Sequence, residues 1–458
     1  MSSRSRSTTS RKSSMAARSS LTDLPPLVLR ERLAGGAARS AEVADAAAAR
    51  VESDPAAAAA FAWFDADFAR RQGVHLDTQR GRLRSIGALH GLPVAVDDMI
   101  DAARMPAIAG FAPFAGRVPE ADSAIVERLR SAGALIAGKT AVRELGIGPA
   151  ITSTDTDAPA TAIDGCVTAV ARGAASLGVG MSGDGALIRS ASASGVTAYT
   201  PTFGAIPRRG VRDVAPSLDV PGVCARSISG VALLAECLFG NDLADPSTEA
   251  TPHPQLLAQA GMTPPVVPTL AIVRTPWWDR ADPLTQEGIG EVAAELGERC
   301  FDADLPEIFA DGLIHAERVR LAEAAKNLFG TRQRYPGAVS AELTALLEQG
   351  DAILARDYLA ALDWRAVLYA GLEAVLSRCD AILTPAAIGP ARPGVAPEGE
   401  NVFNALWTFL GVPCVTLPLL ETPDGQPIGV QLVGRRGEDG RLLRTAHWLE
   451  TQLTNGSA

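Results

Sequence analysis

Lysine is nearly absent from this chain of 458 residues: Lys12, Lys139 and Lys326 are the only three. Chemistry that needs a buried amine therefore has three positions to choose from. Histidine is almost as scarce, with five residues dispersed at His75, His90, His253, His315 and His447. The six cysteines (Cys166, Cys224, Cys237, Cys300, Cys379 and Cys414) stand singly, with no CxxC pair and no histidine at ligand spacing. That pattern gives no support to a structural metal site or a disulfide framework, and suits buried thiols in a reducing cytoplasm. No stretch of 18 apolar residues is present to suggest a membrane span, and the N-terminus has no apolar h-region of a secretory signal. No cofactor motif is visible.

What is present is a globular composition, 47% hydrophobic and 21% charged, with a net charge of −10. The charge is uneven. Residues 1–20 carry Arg4, Arg6, Arg11, Lys12 and Arg18 and no acid, leaving 37 basic against 52 acidic groups in the rest. An acidic body argues against nucleic-acid binding. Residues 1–20 read as a disordered basic tail, with a transit segment, an anion-binding arm or a true start at Met15 as alternatives. Residues 21–458 read as one domain.

Along that domain, short apolar runs alternate with amphipathic stretches. LPVAVDD reads as a strand ending at Asp97, and DSAIVERLRSAG (122–133) as a helix with Ile125, Val126 and Leu129 on one face. ALIAGKT and SLGVGMS read as strands, and SISGVALLAECLFG as a buried helix capped by Ser227 or Ser229. Helices are expected over 284–298, 312–330, 339–348 and 350–378, then strands in DAILTPA, VPCVTLPLL and IGVQLVG and a closing helix in GRLLRTAHWLE. The Ala-rich stretch near 46–63 also reads as helix. The alternation predicts an α/β fold: a single large domain with a mixed, mostly parallel sheet covered by helices on both faces.

Five motifs, in order, resemble the amidase signature family of Ser–Ser–Lys amide hydrolases. They are GLPVAVDDMID, DSAIVERLRSAGALIAGKT, PTFGAIPRRGVRDVAPSLDVPGVCARSISGVALL, FNALWTFLGVPCVTLPLL with DAILTPA before it, and GVQLVGRRGEDGRLLRTAHWLE. The resemblance spans roughly residues 25–452. It implies a serine nucleophile, a second serine on a cis peptide that relays a proton, a buried lysine that accepts it, and a glycine-rich turn whose N–H groups hold the oxyanion.

None of the three reacting side chains is found where the resemblance puts it. The lysine position before the strand-end aspartate is Asp97, followed by Asp98. The relay serine corresponds to Ala162. The turn GMSGDGALIRSA, starting at Gly180, aligns without a gap on the nucleophile segment and puts Ala186 at the nucleophile. The interval from Ala162 to Ala186 is 24 residues, the spacing the family keeps between its serines. A one-residue slide that matches Arg189 to the family arginine puts Leu187 there instead, again with no hydroxyl. The sequence therefore predicts a cytoplasmic amidase-like protein without its catalytic triad. Such a protein would be a scaffold or regulatory component, as a homo-oligomer or paired with a catalytic relative, or a binder of a small amide or carboxylate.

Two alternatives stay open: a divergent hydrolase with a nucleophile outside the family pattern, and a new activity with Asp97 as general base. Pocket candidates are Asp97, Asp98, Cys166, Ser182, Gly183, Asp184, Gly185 and Arg208. Ser182 nearly makes a GxSxG elbow but lacks the second glycine. Cys166 has no cationic neighbour in sequence to make a thiolate. Asp97, Asp98, Asp101 and Asp184 are acids that could gather around a cation. Arg208 and Arg209 could fork a carboxylate or pin structural carbonyls. Gly180, Gly183 and Gly185 are expected to leave turn N–H groups exposed. Lys139 reads as structural and Lys326 as solvated.

Overall fold

The computed structural model of the protein describes residues 20–82, 86–149, 164–390 and 401–456. The expected tail lies outside them apart from Ser20, and so does Ala162. The described strands are β1 (Phe61–Phe64), β2 (Pro93–Asp97), β3 (Leu135–Thr140), β4 (Leu177–Ser182), β5 (Thr197–Thr200) and β6 (Val220–Ala225), followed by β7 (Leu270–Val273), β8 (Cys300–Ala303), β9 (Ala381–Pro385), β10 (Cys414–Glu421) and β11 (Pro427–Val433). They form one mixed sheet in the order β1-β3-β2-β4-β6-β5-β10-β11-β9-β7-β8. Pairing is parallel among β3, β2 and β4 and among β9, β7 and β8, and antiparallel through the centre.

Period-two burial explains why both faces are covered. Val94 and Val96 of β2 enter one core while Ala95 enters the other, and Val223 and Ala225 of β6 are separated from Cys224 in the same way. The first core takes the apolar side of the helix Ile228–Leu238, capped by Ser227 Oγ accepting from the Gly230 N–H at 3.1 Å. On the second face the strands present small residues such as Ala95, Ala137, Ala198 and Cys224. Two short helices, Gly165–Ala171 and Ala186–Ser194, can therefore lie close to the sheet. The expected helices in the second half are found at Pro283–Leu296, Gly312–Arg334, Ala341–Asp351 and Ala355–Leu376, and the closing helix at Asp439–Gly456.

One expectation is corrected. The stretch near 46–63 is not helical throughout: a short helix ends at Ala59 and Phe61–Phe64 form an edge strand antiparallel to β3. The aromatic residues decide this. Phe61, Trp63 and Phe64 favour a half-buried pleated surface over a helix, and Ala60 C=O accepts the Ala141 N–H at 2.9 Å, tying the junction to the end of β3.

Parallel β2, β3 and β4 bring the ends of three strands to one edge, where open α/β sheets place their ligand crevices. Asp97 ends β2, Lys139 and Thr140 end β3, and Ser182 ends β4.

Candidate functional site

At the end of β4 the chain turns through Gly183, Asp184 and Gly185 into the helix Ala186–Ser194. Gly185 is left-handed, at φ 81°, and a Cβ on it would sit 2.2 Å from Asn404 Cβ. Only glycine makes this turn without strain. The turn therefore has the form that presents a residue at a helix start, and the residue presented is Ala186, a methyl group.

The N–H groups of the turn are not all free, contrary to the sequence expectation. The Ala186 N–H donates to Asp184 Oδ1 at 3.1 Å. Burial opposes ionisation of Asp184, but the charges of Arg189, Arg143 and Arg320 outweigh it and hold the carboxyl at about 2. The carboxyl so favoured as an anion therefore takes up the N–H of Ala186 at the helix start.

Asp97 is 4% exposed, and both of its oxygens accept from the backbone: Oδ1 from Met99 N–H at 2.7 Å and Oδ2 from Met181 N–H at 3.0 Å. Burial and the neighbouring Asp164 raise its pKa to about 7 against the lowering effect of those two N–H groups and of Lys139. Asp164 itself is buried and raised by burial, and caps the next helix by accepting the Cys166 N–H at 3.2 Å. Its place beside Asp97 was not legible in the sequence.

The other acids belong to partners. Asp98 Oδ1 accepts from Lys139 Nζ at 3.0 Å, with Lys139 fully buried, and Asp98 Oδ2 accepts the Ile108 and Ala109 N–H groups at 2.8 and 2.7 Å. Asp101 is paired with Arg117 at 2.7 Å. The four acids do not gather, and among the described residues no group of three or more His, Cys, Asp or Glu is placed to hold a metal. Lys139 serves Asp98 and is structural, as expected, and Lys326 is exposed.

The other nucleophile candidates fare no better. Ser182 Oγ is buried and has no hydrogen-bond partner among the described residues, so nothing there can take its proton. Cys166 Sγ lies 3.9 Å from Cys224 Sγ in a fully buried pocket, and burial pushes its thiol well above the usual range, the reverse of an activated thiolate. Arg208 Nη1 donates to the carbonyls of Pro216 (2.6 Å) and Asp219 (3.2 Å), and its backbone N–H to Asp245. Arg209 is held by Asp242 and Glu127. Both arginines are engaged within the fold: Arg208 pins carbonyls and Arg209 forks the protein's own Glu127 carboxylate.

Two adjoining cavities open at the turn. The one lined by Met99, Met181, Asp219 and Arg212 has a volume of only about 40 Å³, room for a water molecule or two. The second, of about 330 Å³, is lined by Gly183, Asp184, Arg143, Arg189 and Arg320 together with apolar Leu218, Leu313 and Leu346. Sequence reasoning missed this cluster of arginines. Arg143 follows β3, Arg189 is in the helix after the turn and Arg320 is in the helix Gly312–Arg334, so only the fold brings them together. The single local signal was Glu317 three residues before Arg320, a helical pair.

A family model described as Amidase matches residues 42–443. The protein named "Putative amidase AmiD" from Mycobacterium tuberculosis (strain ATCC 25618 / H37Rv) is 28% identical over 438 aligned residues, covering 89% of this chain and 90% of the relative. A glutamyl-tRNA(Gln) amidotransferase subunit from Anaeromyxobacter sp. (strain K) is 28% identical over 94% of this chain and 97% of its own length. A crystal structure of an amidase superposes with a TM-score of 0.80 at 26% identity, covering 93% of this chain and 99% of that one.

Proposed function

This chain belongs to the amidase family, and from that premise we propose that it is a member without the family's hydrolytic chemistry. It acts by binding a small amide or carboxylate, or as a non-hydrolytic component beside a catalytic relative. One observation carries the reading. The glycine turn that should present a nucleophile presents the methyl of Ala186, and the adjacent N–H is taken by ionised Asp184. Alanine can neither attack a carbonyl nor relay a proton, and a fixed anion opposes an oxyanion.

Asp97 in the lysine position and Ala162 in the relay position support the same conclusion. A role within a larger complex draws support from the relative that is by name one subunit of an amidotransferase. Use of Asp97 as a general base has one observation in its favour, a pKa raised to about 7. Against it, both oxygens are engaged by backbone N–H groups and the residue does not line the larger cavity.

Ammonia release from a series of primary amides, from acetamide to phenylacetamide, tests this reading. The expected rate is that of buffer alone, a deficit of about 10⁶-fold against a catalytically intact member, the scale of losing a serine nucleophile. Release that saturates with amide and scales with protein concentration would overturn it.

A further inference from the structure

The 330 Å³ cavity has a feature that the loss of catalysis does not explain. Arg189 is 3% exposed, yet its Nη1 has no hydrogen-bond partner among the described residues, and its Nη2 stands 3.7 Å from Asp184 Oδ2, too far for a good hydrogen bond. Arg143 Nε is also without a partner among those residues. Leaving a buried donor unpaired costs on the order of 1–3 kcal/mol, and more for a charged group. Arg320 shows what a satisfied guanidinium looks like in the same wall: two hydrogen bonds to Glu317, both 2.7 Å.

Charge and shape narrow what could meet those donors. Among the described wall residues, Arg143, Arg189 and Arg320 face two carboxylates, Asp184 and Glu317, so one positive charge is in excess. The rest of the wall is largely apolar: Ile147, Leu218, Leu313 and Leu346. A neutral amide leaves the excess charge in place, and a dianion overshoots it. A planar group with one negative charge and two acceptor oxygens matches a guanidinium fork, and an apolar body matches the leucines. The volume is at the low end for small-molecule sites.

We propose that this cavity binds a small monocarboxylic acid, with its carboxylate on Arg189 and Arg143 and its hydrocarbon body against Leu218, Leu313 and Leu346. This deepens the binding role proposed above and rests on it.

Calorimetric titration of the full chain at low salt tests the assignment. The probes are acetate, butyrate, benzoate and phenylacetate, each beside its own primary amide, with inorganic phosphate as a further probe. The expected result is that at least one carboxylate binds tenfold or more tightly than its amide and than phosphate. Arg143→Gln, which keeps the Arg189–Asp184 contact, is expected to weaken that carboxylate at least tenfold, and Arg189→Met more so if it folds. Lys326→Gln, an exposed change away from the cavity, is expected to leave binding unchanged. The assignment is overturned if no carboxylate of the series binds, if carboxylate and amide bind equally, if phosphate binds more tightly than all of them, or if Arg143→Gln has no effect. Ammonia is assayed in the amide arms of the same titrations. Its release would sink the non-hydrolytic reading whatever binds, whereas silent amides with unbound carboxylates would sink this inference alone.

Discussion

Lys139→Met is expected to destabilise the fold by about 3–5 kcal/mol, the scale on which breaking a buried ion pair from one side acts. Lys139 is fully buried and Asp98 is 1% exposed, with 3.0 Å between Nζ and Oδ1. Methionine keeps the volume and removes the charge. Asp98 would then keep only the Ile108 and Ala109 N–H groups, both on its other oxygen. Urea unfolding of the variant gives the number. The double change Asp98→Asn with Lys139→Met is expected to cost much less than the sum of the single ones, because no uncompensated charge remains. A loss below about 1 kcal/mol in Lys139→Met would show that the pair does not hold the ends of β2 and β3 together.

The stability that Asp97 contributes is expected to be lost as pH rises from 5 to 8, while His90 and His315, lowered by burial, act in the opposite sense. The Asp97 carboxyl is raised from 3.8 to about 7 by burial and by Asp164. A carboxyl that binds its proton more tightly when folded adds stability that is complete below the unfolded pKa and is lost as pH climbs through the folded one. A shift of this size corresponds to at most about 4 kcal/mol. Asp219, raised to about 6 by burial, acts in the same direction. Asp184, held at about 2, acts in the opposite sense and over a lower range: its contribution is lost as pH falls from about 4 towards 2. Asp97→Asn places an amide NH₂ against one of two backbone donors, which adds a constant penalty. The measurement is therefore the slope of unfolding free energy against pH, not its value at one pH. The slope between 5 and 8 is expected to shift in the positive direction in the variant. An unchanged slope would assign the proton to Asp164 or Asp219 instead.

The fold was readable wherever one pattern served one structure. LPVAVDD, DAILTPA and IGVQLVG are short apolar runs long enough for a strand and too short for a helix, and each became a strand. One helix start followed chemistry the sequence displays: Ser227, one of the two expected caps, accepts the Gly230 N–H. Phe61–Phe64 was missed because the alanines before it favour helix while its strand character comes from pairing with β3, a contact 74 or more residues away. The site divides in the same way. The turn at 183–185 and the methyl at Ala186 are local and were legible. Three things depended on distant segments meeting: Asp164 beside Asp97, the capture of the Ala186 N–H by an Asp184 kept ionised by arginines, and the arginine-lined cavity. Arg189 is the clearest case. In sequence it served only to choose an alignment, whereas folded it is a buried guanidinium with a donor that has no partner among the described residues.

The central claim is that no side chain of this protein is an activated serine nucleophile. A fluorophosphonate probe tests it most directly, since it reports an activated serine without any knowledge of substrate. The purified full chain and a catalytically intact amidase are treated side by side, and adducts are mapped by peptide mass. The account predicts a labelled control and no modified serine in this chain. Stoichiometric labelling of a single serine here, Ser182 or any other, would contradict it and would name the nucleophile.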